Sequence, residues 1–162
     1  MPGSGKTTLG EMLANKLDVA FYDLDDAIQK AEGKSIPEIF SGPGEKYFRE
    51  IESRLLAEFA NTNQSFVLST GGGAPCFHDG IEIINRTGVS IFLDVPLSLL
   101  LQRLKSKTDR PLLSENAVEK EKKLIALREA RIACYQKAKI RVENPNLNTL
   151  LSSIKNLEGE QV

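Results

Sequence analysis

The run Pro2-Gly3-Ser4-Gly5-Lys6-Thr7-Thr8 opens straight into a stretch where Leu9, Met12, Leu13 and Leu17 recur at helical spacing. This junction limits what the chain can become. Gly3 and Gly5 let the backbone turn its N–H groups toward an anion, and a helix over Lys6 to Leu17 brings the positive end of its dipole to the same point. Lys6 supplies a point charge for terminal phosphates, and the Thr7 hydroxyl is placed to meet a divalent cation such as Mg2+. The phosphate-loop pattern of Gly, four residues and then Gly-Lys-Ser/Thr is present except for its first glycine, which would fall one position before Met1. The plainer reading is a flexible glycine-rich leader before an ordinary helix. The Lys6-Thr7 pair at the helix entrance weighs against it.

Further along, Val19 to Tyr22 reads as a short strand, followed by the acidic corner Asp23-Leu24-Asp25-Asp26 and a helix that Gly33 terminates. A helical turn after Ser35 ends at Gly42-Pro43-Gly44. The next helix carries Phe48, Ile51, Leu55, Leu56 and Phe59 on one face, with Arg49 and Glu52 three apart on the neighbouring face. Ser65 to Leu68 and Val89 to Leu93 read as central parallel strands. Leu97 to Lys105 is helical, 106–116 is a polar connection long enough for a lid, and a second long helix runs from about Val118 to Lys137. Ile140 to Val142 is a strand, Asn144-Pro145-Asn146 a turn and Leu147 to Leu157 a closing helix. Strands alternating with helices predict a parallel sheet covered on both faces within one domain.

Composition excludes several functions. With 21 basic against 22 acidic residues there is no global field to draw nucleic acid or an anionic membrane, so any anion must be gripped locally. No apolar run reaches the ~20 residues that span a bilayer. Cys76 and Cys134 have no metal-ligand spacing and read as unpaired thiols of a reducing compartment. His78, the only histidine, has no companion ligand.

Asp23 and Asp25 sit one residue apart at a strand's end, where one can serve a metal and the other a substrate hydroxyl; a helix N-cap cluster is the equal alternative. The segment Thr70-Gly71-Gly72-Gly73 ends its strand without the usual metal-linked aspartate. Three consecutive glycines cost conformational entropy with no packing return, which favours exposure of backbone to a ligand. Arg49, Arg110 and Arg131 are candidate anion forks, though each alone reads as a surface arginine.

Taken in order, these segments resemble the shikimate kinases over nearly the whole chain. The resemblance lies in Gly3 to Thr8, Phe21-Tyr22-Asp23-Leu24-Asp25, Gly33-Lys34-Ser35-Ile36 with Ile39-Phe40, and Gly44-Glu45 with Phe48-Arg49 and Ile51-Glu52. It continues through Thr70 to Gly73, Arg110-Pro111-Leu112-Leu113, and Arg131 four residues before Tyr135. It implies a three-layer α/β/α phosphate-loop kinase, one domain over residues 1–162, with a mobile lid at about 106–117. It implies transfer of the ATP γ-phosphoryl group to the 3-hydroxyl of shikimate by a cytoplasmic monomer that binds neither nucleic acid nor membrane. Lys6, Asp25 and Arg110 are then catalytic, and Thr7 and Asp23 serve Mg2+. Gly3, Ser4, Gly5, Lys6, Thr7, Thr8, Arg103, Arg110, Asn144 and Pro145 hold ATP, with Arg103 near the adenine opposite the Asn144-Pro145-Asn146 turn. Asp25, Arg49, Gly71, Gly72, Gly73 and Arg131 hold shikimate, with Phe40, Phe48 and Glu52 lining or bracing that pocket.

The resemblance also implies a five-stranded sheet whose middle strand, between Phe66-Val67-Leu68 and Ile91-Phe92-Leu93, precedes the loop. Met1 is then expected to be an internal residue of the loop. Four or five apolar side chains from such a strand would contribute ~6–15 kcal/mol, against a domain's net ~5–15 kcal/mol, so residues 1–162 alone are expected to be poorly stable. Two rival readings are a kinase of gluconate type that shares the loop but not the pocket, and a catalytically silent nucleotide-binding module.

Overall fold

A computed structural model describes residues 1–106 and 115–159. Helix α1 spans Lys6–Leu17 as the periodicity predicts, but Leu13 and Ala14 are its buried residues while Met12 and Leu17 are each 44% exposed. Leu17 is exposed because it borders an open cavity. Strand β1 (Ala20–Asp23) leads into α2 (Leu24–Glu32), which the Asp23 carboxylate caps by accepting from the Asp25 N–H and which stops at Gly33 in the left-handed region, φ 63°. Helix α3 (Ile36–Ser41) opens on a reciprocal capping box between Ser35 and Glu38, and α4 covers Glu45–Ala60.

After β2 (Phe66–Ser69) come a 3-10 turn at Ala74–Cys76 and helix α5 (Gly80–Thr87), which the periodicity did not reveal. It is short and begins on Asp79 and Gly80, residues that in sequence look like a turn. Gly80 is required by packing: a Cβ there would lie 1.9 Å from the Ala74 carbonyl oxygen. Gly80→Ala should therefore lower unfolding free energy by about 1–3 kcal/mol or more, read as a lower urea midpoint at unchanged m-value.

Strand β3 (Ile91–Asp94), α6 (Leu97–Ser106), α7 (Glu115–Tyr135), β4 (Ile140–Glu143) and α8 (Leu147–Gly159) complete the chain. Helix α7 starts three residues before the expected Val118 and ends at Tyr135. Most of the expected lid, with Arg110, lies outside the described residues. Cys76 and Cys134 are free and half-buried; burial, then a hydrogen bond with Cys134, pushes the Cys76 thiol up to about 12.

Every ladder is parallel. β1 pairs with β2, from Ala20 opposite Phe66 to Asp23 opposite Ser69, and β3 pairs with β4, from Ile91 opposite Ile140 to Asp94 opposite Glu143. β2 and β3, read from the sequence as central parallel strands, each have one parallel partner among the described residues, giving two two-stranded sheets. The apolar interior is divided likewise. One cluster centres on Leu24, Ile28, Ile39 and Phe48, a second on Phe92, Leu100 and Tyr135, and a third on Ile140, Val142 and Leu150. A single domain ordinarily has one contiguous core.

Candidate active site

The phosphate loop is wound as its glycines require. Gly3 and Gly5 have φ of 74° and 88°, a region in which a side chain is strained. The Met1 carbonyl lies at the centre, accepting from the Ser4 hydroxyl at 2.9 Å and from Lys6 Nζ at 3.1 Å. Ser4 is buried, while Thr8 is exposed on the first turn of α1. Burial is the main cause lowering the Lys6 pKa, and the Asp25 and Asp23 carboxylates oppose it. Burial, with Lys6 and Arg131 nearby, also lowers the Met1 amine to about 5.

Thr7 Oγ1 donates to Asp23 Oδ2 at 3.0 Å, and Asp23 Oδ1 accepts from the Asp25 N–H at 3.0 Å. Asp23 is therefore both the helix cap and the partner of the loop threonine. Among the described residues no cluster of three or more His, Cys, Asp or Glu could hold a metal. A hydroxyl beside one carboxylate nevertheless suits Mg2+, which commonly takes one or two protein oxygens and completes its shell with phosphates and water.

The three glycines after β2 are each covered by a different polar group. A Cβ on Gly71 would lie 2.9 Å from Asp25 Oδ1 and 3.1 Å from Glu52 Oε1. On Gly72 it would lie 3.1 Å from Arg131 Nη1 and 3.2 Å from the Tyr135 hydroxyl; on Gly73, 2.2 Å from Arg49 Nη1. Side chains at these positions would occupy the space that the polar head groups fill. The run thus forms a bare backbone wall onto which α2, α4 and α7 project Asp25, Arg49 and Arg131.

Of the three head groups, Arg49 is held from behind. Arg49, 8% exposed, donates to Glu52 Oε2 at 2.6 Å and to Glu45 Oε1 at 3.3 and 3.1 Å, and its guanidinium lies 5.0 Å from the Phe48 ring centre and 4.3 Å from that of Phe77. Among the described residues Glu52 Oε1 is buried without a hydrogen-bond partner. Burial raises the Glu52 pKa against the pull of Arg49. Burial, then the neighbouring Asp23 charge, raises that of Asp25 against Lys6. The Tyr135 hydroxyl donates to the Gly72 carbonyl at 2.7 Å, and its ring stacks on Phe92 at 5.2 Å.

Phe40 packs on Phe48 at 4.7 Å between ring centres. Arg103 donates to the Gly3 carbonyl at 3.2 Å, so it lies against the phosphate loop. Asn144 is left-handed, φ 49°, and Pro145 leads to Asn146, which caps α8 through Thr149. Nothing in the sequence marks Phe77 as the second ring on Arg49, because the two are distant in sequence and meet only when α4 packs near the 3-10 turn. Nor did it mark Asp94, buried at the end of β3 and held by Arg128 at 2.8 Å and Arg141 at 2.7 Å, which ties β3 to α7 and β4.

A phosphate-cradling loop opening a helix, with a lysine and a Thr–Asp pair beside a pocket of opposed charges on parallel strands, defines a phosphate-loop phosphotransferase. The sequence pattern described as shikimate kinase matches residues 2–157. The shikimate kinase of Aquifex aeolicus is 37% identical over 158 residues, covering 96% of this chain and 91% of the relative; that of Persephonella marina is 38% identical over 154 residues, covering 91% and 93%. Among solved structures, shikimate kinase from Bacteroides thetaiotaomicron superposes with a TM-score of 0.82 at 38% identity, covering 98% of this chain and 93% of that one. Shikimate kinase from Acinetobacter baumannii, solved in complex with shikimate, gives 0.79 at 36% identity, covering 97% and 87%. The chain belongs to the shikimate kinase family and is an ATP-dependent kinase.

Proposed function

We propose that this chain transfers the ATP γ-phosphoryl group to the 3-hydroxyl of shikimate, as a single-domain monomer in the cytoplasm that needs neither nucleic acid nor membrane. The observation that carries the proposal is the glycine wall: Gly71, Gly72 and Gly73 are overlain in turn by Asp25, Arg131 and Arg49. One carboxylate and two guanidinium groups on bare backbone match a small polyol that carries a single carboxylate.

In this reading the Arg131 and Arg49 guanidinium groups take the substrate carboxylate, with Gly72 adding a backbone contact. Glu45, Glu52 and the two rings fix the Arg49 fork before substrate arrives. Asp25 accepts a hydrogen bond from the attacking hydroxyl and holds it toward the loop, where Lys6 and the N–H groups of Gly3 to Thr8 neutralise the terminal phosphates. Arg103 steadies the loop from the Gly3 side. Thr7 and Asp23 would hold Mg2+, which when bound supplies charge neutralisation at the phosphates. Arg110 over the phosphates, and Asn144-Pro145 beside the adenine, are assigned from the family resemblance.

The function is tested by measuring ADP release, through a coupled assay, with shikimate and with gluconate. Turnover with shikimate and none with gluconate is expected. The reverse preference would overturn the proposal, as would ATP binding without turnover of either.

The pH profile gives a second test. Asp25 must be ionised to accept from the hydroxyl, and its pKa is raised, chiefly by burial. The kcat/KM should therefore fall on the acid side through a pKa above the ordinary aspartate value of about 3.9. A rate that stays flat down to that ordinary value would remove Asp25 from the role.

A further inference from the structure

Behind the glycine wall lies a pair of thiols with no part in phosphoryl transfer. Cys76 closes the 3-10 turn that follows Gly73, and Cys134 sits on α7 between Arg131 and Tyr135. Cys134 Sγ donates to the Pro75 carbonyl at 3.0 Å, which sets it beside the next residue, Cys76, and the two thiols share a hydrogen bond. Both are half-buried, so a small reagent reaches them. A free cysteine ordinarily serves as a small hydrophobe, a job that needs no second thiol in contact. Here the chain's only two cysteines, distant in sequence, are brought together by the fold.

We propose that Cys76 and Cys134 form a dithiol modification site, which a low-molecular-weight disulfide such as glutathione disulfide converts to an internal disulfide that ties the glycine wall to α7. The Cys134 thiol gives its proton to water and, as thiolate, attacks one sulfur of the reagent. The reagent's S–S bond breaks, and the departing thiolate takes a proton from water. Cys76 then loses its proton to water and attacks Cys134 Sγ, which forms the internal S–S bond and releases the second reagent thiol. Two protein thiols are oxidised and one disulfide is reduced to two thiols. Burial, then the hydrogen bond with Cys134, pushes the Cys76 thiol up to about 12, so Cys76 stays protonated while reduced and the first attack falls to Cys134. In a reducing compartment such a bond is transient, which suits a response to oxidant rather than a structural staple.

The bond reaches the substrate pocket. Arg131 and Cys134 are three apart on α7 and so share a face, and Cys76 Sγ lies 4.0 Å from the Gly72 carbonyl that also receives the Tyr135 hydroxyl. Drawing the sulfurs from hydrogen-bond contact to bonding distance moves α7 against the wall where Arg131 overlies Gly72. This consequence rests on the shikimate reading: the oxidised chain should bind shikimate at least about threefold more weakly, and ATP unchanged, because small displacements disturb a preorganised clamp.

Residues 1–162, freed of reductant, are incubated with glutathione disulfide and with the smaller hydroxyethyl disulfide, then denatured for thiol titration and digested for mass spectrometry. Free thiols should fall from two to none, with the loss of two hydrogens and a linked peptide pair holding Cys76 and Cys134, and dithiothreitol should restore both. Cys76→Ser should stop at a mixed disulfide on Cys134. Mixed disulfides on both cysteines of the parent chain, a bond between chains, or thiols left free by both reagents would overturn the site. Calorimetric titration of shikimate and of ATP into the reduced and oxidised chain reads the coupling, and equal shikimate affinity in the two states would overturn it. The thiol count needs no substrate, so a chain that binds no shikimate in either state refutes the kinase reading and leaves the dithiol site standing.

Discussion

Asp25→Asn is expected to lower kcat by ~10²–10⁴-fold, the usual contribution of a positioned base, while leaving ATP affinity unchanged. Asparagine keeps the size of the side chain beside Gly71 but can no longer take the proton from the attacking hydroxyl. The substitution should not harm the fold. Because the folded Asp25 pKa is raised, its ionisation opposes folding: the associated stability is fully present below the unfolded pKa and is lost as pH rises through the folded value. At neutral pH the asparagine variant should therefore unfold at the same or higher urea concentration than the parent chain. Steady-state rates, nucleotide titration and urea midpoints check the three statements separately. Near-normal turnover would remove Asp25 from its assigned role.

The second large effect is expected at Arg131. Truncation to alanine removes one arm of a two-arginine clamp, which should cost about 2–5 kcal/mol of substrate binding, or ~30- to 5,000-fold in shikimate affinity. ATP affinity should hold, since Arg131 faces Gly72 and the Tyr135 hydroxyl rather than the base of the nucleotide. Arg131→Lys should recover little, because an ammonium cannot present the planar fork. Calorimetric titration of shikimate decides the matter, and full affinity in the alanine variant would count against the clamp.

Much of this site was legible in the sequence because its parts are local. The loop, its lysine and threonine, and the Asp23–Asp25 spacing are short-range patterns set by backbone geometry and helix capping. The glycine run was legible as an anomaly, since three glycines in succession have no packing justification of their own. What each glycine makes room for depended on α2, α4 and α7 converging on one wall, and no local pattern reports that. Phe77 and Asp94 were missed for the same reason. Helix α5 was hidden by the Asp79-Gly80 start, where glycine answers a contact with the Ala74 carbonyl rather than a turn.

Phe66-Val67-Leu68 and Ile91-Phe92-Leu93 carry the continuous apolar pattern of strands buried on both faces, and among the described residues each finds a parallel partner on one flank. The pattern records which faces ask for cover; it does not record whether a neighbour supplies the hydrogen bonds. The split core is the energetic consequence.

The central claim is that the glycine wall and phosphate loop together hold shikimate with its 3-hydroxyl turned toward ATP. Product analysis by two-dimensional phosphorus–proton NMR after incubation with ATP, Mg2+ and shikimate tests it most directly. The account predicts a single new phosphate ester coupled to the proton on carbon 3, formed in step with ADP. Phosphate on another hydroxyl, or ADP accompanied only by inorganic phosphate, would contradict it.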